Sequence, residues 1–123
     1  MIRIVSSWLE NIKVPIPWLE KLESWGLWRR PAFLTIDVPE GPDEDLLPSD
    51  LVLREVRDGY AKWLHFKCPR CAEHIQVPLA GREHWRIRID LLRRPSISPS
   101  IWQTGSCGAH FIIRKGNIQW CPD

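Results

Sequence analysis

Cys68-Pro69-Arg70-Cys71 sets two thiols on either side of a short turn, a C-x2-C spacing at which both sulfurs can reach one ion. A second half-motif, Cys107-Gly108-Ala109-His110, is C-x2-H, and Cys121 follows it. Tetrahedral zinc takes four donors, and Cys68, Cys71, Cys107, His110 and Cys121 offer one more than that. The expected set is Cys68, Cys71, Cys107 and Cys121, a closed four-sulfur site for a structural Zn2+ that leaves His110 free. The alternative makes His110 the fourth ligand and Cys121 the spare. A third arrangement, three ligands and a water with Glu73 as base, makes the zinc catalytic. Two other readings compete: small buried hydrophobes, and a redox dithiol at Cys68 and Cys71. The dithiol wants a helix starting at the motif to lower a thiol pKa, whereas Ala72 to Val77 read as strand.

Ser96-Ile97-Ser98-Pro99-Ser100-Ile101-Trp102 is the second constellation. Serines beside prolines usually make turns. The chemical reading makes Ser100 a nucleophile, His110 its base and Asp90 the acid that orients the base. Glu73, after the knuckle, is a further candidate acid, base or ligand, with His74 beside it. The loop Gln103-Thr104-Gly105-Ser106 offers backbone N–H groups to an oxyanion. No Gly-x-Ser-x-Gly elbow occurs, which excludes an ordinary α/β-hydrolase. His65 and His84 lie in strand-like runs and read as hydrogen-bonded structural residues.

The elements that must position these groups change character along the chain. Residues 4–13 carry Ile4, Val5, Trp8, Leu9 and Ile12 at helical spacing. A second helix begins at Pro17, presents Trp18, Leu19, Leu22 and Trp25 on one face, and stops at Gly26. Both helices are expected to rest on a sheet, or else Trp18, Trp25 and Trp28 dock a partner. Residues 30–49, rich in proline and acids, read as loop. From Leu51 the period becomes two, with Asp58-Gly59 as a hairpin turn before the strand of Tyr60 to Phe66. Further strands are expected over residues 75–79, 85–90, 109–114 and 117–120. The expected fold is α+β, mainly β: residues 1–48 form N-terminal helices and a Pro-rich connector, and 49–123 a zinc-stabilised antiparallel sheet domain, all as one compact unit.

Composition narrows the function classes. The 123 residues suit one domain, and 44% hydrophobic with 26% charged residues is a globular balance. A net charge of +2, with basic pairs diluted by acids, argues against a nucleic-acid partner. No apolar run approaches a membrane span, so no membrane partner is expected. Trp8 and Glu10 interrupt the N-terminal apolar stretch too early for a signal peptide, so the expected location is cytoplasmic, where four cysteines argue for metal or catalysis over disulfides. Eight Trp contribute large buried areas to a small core.

Taken together, WLHFKCPRCAEHIQVPL, HWRIRID, SISPSIW and CGAHFIIRKGNIQWC, with PDEDLLPSDLVL upstream, resemble the bacterial domain-of-unknown-function family 6527 over roughly residues 40–121. Many relatives carry a denser Cys-x-Cys-Gly-Cys run at the knuckle than this chain does. Members of that family occur beside genes for ubiquitin-like proteins and their E1-like and E2-like enzymes, in antiviral defence islands. The resemblance implies a serine-type, deubiquitinase-like peptidase acting on a ubiquitin-like protein or its conjugates, with Ser100, His110, Asp90 and Glu73 as site residues. The competing function is a zinc-ribbon-like binding module for a partner of the conjugation pathway.

Overall fold

Alternating apolar residues build most of the molecule, because a half-buried strand hides every second side chain. The computed structural model describes residues 13–122, so nearly all of the helix expected over residues 4–13 lies outside it. Among the described residues the one α-helix, α1 (Ile16–Ser24), has proline in its first turn and gives way to Gly26 at φ 73°. Of its expected apolar face only Leu19 is buried, while Trp18 and Trp25 are exposed.

The strands form two four-stranded sheets. The first runs β1 (Leu34–Val38), β2 (Leu51–Arg57), β3 (Tyr60–Lys67), β4 (His74–Pro78). The second runs β5 (Arg86–Ile89), β6 (Pro95–Trp102), β7 (His110–Arg114), β8 (Asn117–Trp120). The mainly-β expectation stands, with two differences. β1 lies in the stretch read as loop and pairs parallel with β2, against an all-antiparallel expectation. Pro31 and Pro39 bound this strand rather than preclude it, and Thr35, Ile36 and Val38 supply its β-branched residues. The return from β1 to β2 covers the outer face of the first sheet, where Leu47 is buried and Gly41 lies against the Glu55 carboxylate. The second difference is β6, built from the Ser-Pro segment read as a turn.

One core joins both sheets. Val52, Leu64, Phe66, Ile75 and Val77 face Ile97, Ile101, Phe111 and Ile113. Phe66 bridges the layers edge-on, 5.7 Å from Phe33 and 6.4 Å from Phe111 between ring centres. Phe33 comes from the segment expected to be a connector, so that segment supplies both a strand and a core side chain.

Two turns hold the register. Asp58 and Gly59 both have positive φ, 53° and 81°, the combination that a two-residue hairpin requires. Gly116, at φ 78° between β7 and β8, lies so close to the Phe33 carbonyl that a side chain there would collide with it. Its N–H donates to the Pro95 carbonyl at 2.7 Å and its own carbonyl accepts from Phe33 at 2.8 Å.

Candidate active site and metal centre

β6 and β7 pair Ile97 with Ile113 and then Ile101 with Phe111. Three residues of β6, Ser98, Pro99 and Ser100, therefore stand opposite Ile112 alone, and the Ser98-Pro99 bond is cis. The two extra residues leave alternation intact: Ile97 and Ile101 both enter the core and Ser100 keeps the outward direction, while the bulge shifts its place along the ladder. Here Ser100 Oγ comes to 3.0 Å from His110 Nε2.

His110 opens β7 directly across from Trp102. Its carbonyl accepts from the Cys121 N–H at 2.9 Å. The Trp102 indole stacks on the imidazole, 4.7 Å between centres and 13° from parallel. This contact was missed at the sequence level. Period two from Ser100 does put Trp102 on the same face, but the partner across the sheet depends on strand register. The Nδ1 atom of His110 is buried and has no hydrogen-bond partner among the described residues.

That orphaned nitrogen corrects the expectation for the orienting acid. Asp90 accepts from the backbone N–H groups of Leu92 and Arg94 and from the Arg94 guanidinium at 2.7 Å. It closes its own turn and does not bond His110, because β5 runs antiparallel to β6 and ends opposite Pro95, at the other end of β6 from Ser100 and Trp102. Glu73 instead accepts a short hydrogen bond from the Ser106 hydroxyl, which joins the knuckle to the loop before Cys107. The oxyanion loop is also partly committed, since the N–H groups of Gln103, Ser106 and Gly108 already donate within it.

The remaining histidines serve structural contacts. His65 is buried, with Nε2 3.0 Å from Glu55 Oε1 and Nδ1 2.9 Å from His74 Nε2. His84 Nδ1 lies 3.0 Å from the Gly81 carbonyl.

Cys68, Cys71 and Cys107 converge, with all three sulfurs within 4.8 Å of one another. Cys68 Sγ and Cys107 Sγ are 3.6 Å apart. A tetrahedral zinc with Zn–S bonds of about 2.3 Å sets its sulfurs about 3.8 Å apart, so the spacing fits such an ion. Burial pushes the Cys68 thiol pKa up. The backbone N–H of Glu73 pulls that of the exposed Cys71 down. Cys121, expected as the fourth ligand, stands outside this cluster, as does His110. The Cys121 backbone instead extends the β7–β8 pairing beyond Trp120.

Two clefts open along β6 on the N-terminal side of Ser100. One, of about 570 Å³, is lined by Glu83, His84, Trp85, Arg86, Ser98 and Pro99, the last two directly before Ser100 in sequence. Trp85 Nε1 donates to the Ser100 carbonyl at 3.4 Å. The other, of about 650 Å³, lies towards Arg88, Ser96 and Lys115.

A serine and a histidine in contact on an open sheet face, beside a metal-competent knuckle, set the frame for comparison with known proteins. The sequence model of BubE, described as the bacterial ubiquitination-like system serine protease, matches residues 38–121. The chain belongs to the BubE family. The family name differs from that of the resemblance noted above, while the ubiquitin-like conjugation setting agrees. The matched span runs from the end of β1 to the residue after β8, and so contains every site residue described above. Curated proteins and solved structures yielded no match. No described helix is long and apolar enough to cross a membrane.

Proposed function

We propose that this BubE-family chain is a serine hydrolase that processes a ubiquitin-like modifier or removes it from its targets, as a deubiquitinase does. The observation that carries the reading is the 3.0 Å contact between Ser100 Oγ and His110 Nε2. In the proposed reaction Ser100 Oγ attacks the carbonyl carbon at the modifier's C-terminus, and His110 Nε2 takes the hydroxyl proton. The tetrahedral adduct collapses, the bond to the leaving amine or alcohol breaks, and Nε2 returns the proton to that group. Water repeats the sequence on the acyl-serine and frees the modifier and the serine.

Among the described residues no carboxylate bonds the imidazole. Trp102 against its face and the buried position of Nδ1 orient it instead. Asp90 and Glu73 act at one remove: Asp90 shapes the turn that leads into β6, and Glu73 ties the knuckle to the loop before His110.

The cysteine cluster is proposed to hold a structural Zn2+, with Cys68, Cys71 and Cys107 as the principal ligands and Cys121 as the candidate for the fourth. When bound, the ion supplies a cross-link between the knuckle after β3 and the loop before β7. Activity in the cytoplasm, within a conjugation pathway that also holds E1-like and E2-like enzymes and serves antiviral defence, is part of the same reading.

The test is cleavage of a modifier–target conjugate by Ser100→Ala and His110→Ala proteins of unchanged circular dichroism. Each substitution is expected to lower the rate by at least about a hundredfold, the scale of general-base and nucleophile contributions. Wild-type turnover by a folded Ser100→Ala protein ends the serine-hydrolase reading.

A further inference from the structure

The outer face of the second sheet carries more positive charge than its neighbours neutralise. Arg88 pairs across to Ser96 in β6. The next ladder pairs Ile97 with Ile113, which sets Arg114 beside Ser96 on the same face. Arg86 lies one row nearer the serine, opposite Ser98. Lys115 adjoins the row, its backbone N–H donating to Ser96 Oγ at 3.0 Å. All four cations are exposed. Elsewhere the described arginines near acids are paired: Arg30 with Asp50, Arg54 with Asp37, Arg57 with Glu55 and Arg94 with Asp90. Among the described residues Arg86, Arg88, Arg114 and Lys115 have no acidic partner.

This charge is directional with respect to the serine. The Arg86 row, opposite Ser98, and the Arg88–Arg114 row, opposite Ser96, both lie on the N-terminal side of Ser100 along β6, the second roughly 7 Å beyond the first, a span of a few extended residues. We propose that this face binds an acidic stretch of the protein that is cut at Ser100, with Arg86, Arg88, Arg114 and Lys115 as its counter-charges. The inference deepens the hydrolase reading and rests on it for the role of the occupant as substrate. An acidic protein segment fits better than nucleic acid. The patch is only a few rows long, and the adjoining cleft also contains the Asp37 and Asp90 carboxylates, which interrupt any continuous track for a phosphate backbone.

Binding of a fluorescein-labelled polyglutamate peptide to the Ser100→Ala chain, followed by anisotropy, separates this inference from the chemistry. The peptide is expected to bind, to weaken with added salt, and to lose at least about tenfold in affinity in Arg88→Glu/Arg114→Glu. The neutral pair Arg88→Gln/Arg114→Gln loses less in the same direction and serves if the reversal unfolds the chain. Lys62→Glu, on the other sheet, leaves binding within about twofold. Equal loss in Lys62→Glu, no binding at low salt, or tighter binding of a short DNA duplex to the same arginines overturns the proposal. None of these results touches the loss of cleavage in Ser100→Ala, and a catalytically silent chain that still binds the peptide would sink only the hydrolase reading.

Discussion

At the scale of single residues the least expected feature is how the imidazole of His110 is held. In a triad a carboxylate accepts from Nδ1 and fixes ring orientation. Here Nδ1 is buried without a partner among the described residues, and the indole of Trp102 lies flat on the ring. A stacked aromatic restricts rotation about the side-chain bond without accepting a proton, so under the proposed mechanism it orients the imidazole. Trp102→Ala is expected to lower kcat for a chromogenic ester by about tenfold with little change in KM, and Trp102→Phe to recover most of it. Equal kcat for Trp102→Ala and the native chain would show that the stack plays no part. The residue types Ser100 and His110 were legible as a pair from the motifs. The supporting Trp102 was not, because only the β6–β7 register puts it opposite His110.

At the scale of elements, β1 and the β7–β8 turn carry opposite consequences for stability. Thr35 in β1 is 1% exposed, and its hydroxyl has no hydrogen-bond partner among the described residues. Burying an unsatisfied hydroxyl costs on the order of 1–3 kcal/mol, and valine has the same shape without it. Thr35→Val is therefore expected to stabilise the fold by about 1 kcal/mol, seen as a higher denaturant midpoint at unchanged m-value. A lower midpoint would mean that the hydroxyl is satisfied in solution. Gly116 is the reverse case. Its positive φ and its closeness to the Phe33 carbonyl leave no room for a methyl group. Gly116→Ala is expected to lose more than about 2 kcal/mol, more than the glycine-to-alanine strain alone, because the backbone link from β1's leading segment to β7–β8 must open. A melting temperature within a degree or so of the native value would show that this turn yields freely.

At the scale of the whole molecule the cysteine cluster links the two sheets. Cys68 ends the β3 side of the knuckle, and Cys107 comes from the loop between β6 and β7. The proposed ion, held by both, would cross-link residues distant in the chain, so treating the metal-loaded protein with a chelator is expected to lower the melting temperature and expose the core, not merely to silence activity. Cys121→Ser is expected to weaken metal affinity less than Cys68→Ser, since Cys121 lies outside the three-sulfur cluster. The metal-free protein has an ordered pattern of reactivity. The Glu73 N–H favours the Cys71 thiolate, and Cys71 is exposed, whereas burial disfavours the Cys68 thiolate. As pH rises, Cys71 ionises first, so iodoacetamide is expected to modify Cys71 at lower pH and faster than Cys68, as read by peptide mass spectrometry. Bound metal protects both. The reverse order of modification would contradict this account of the knuckle.

Local pattern by itself determined the strands from Leu51 onward other than β6, the Asp58-Gly59 hairpin, and the residue types, though not the partners, of the cysteine, serine and histidine motifs. Each depends on short-range spacing or on residue chemistry that survives any packing. Tertiary structure alone decided that a proline-flanked stretch would become a parallel strand, because parallel pairing is made between segments far apart in the chain. It decided that Asp90, engaged by Leu92 and Arg94 in its own turn, would lie at the other end of β6 from the imidazole, because the antiparallel β5–β6 pairing sets which end of β6 it meets. It also set Trp102 on His110 and gathered along β6 four cations that have no acidic partner among the described residues. Those outcomes depend on how strands slide against one another, and register is a property of the assembled sheet rather than of any one segment.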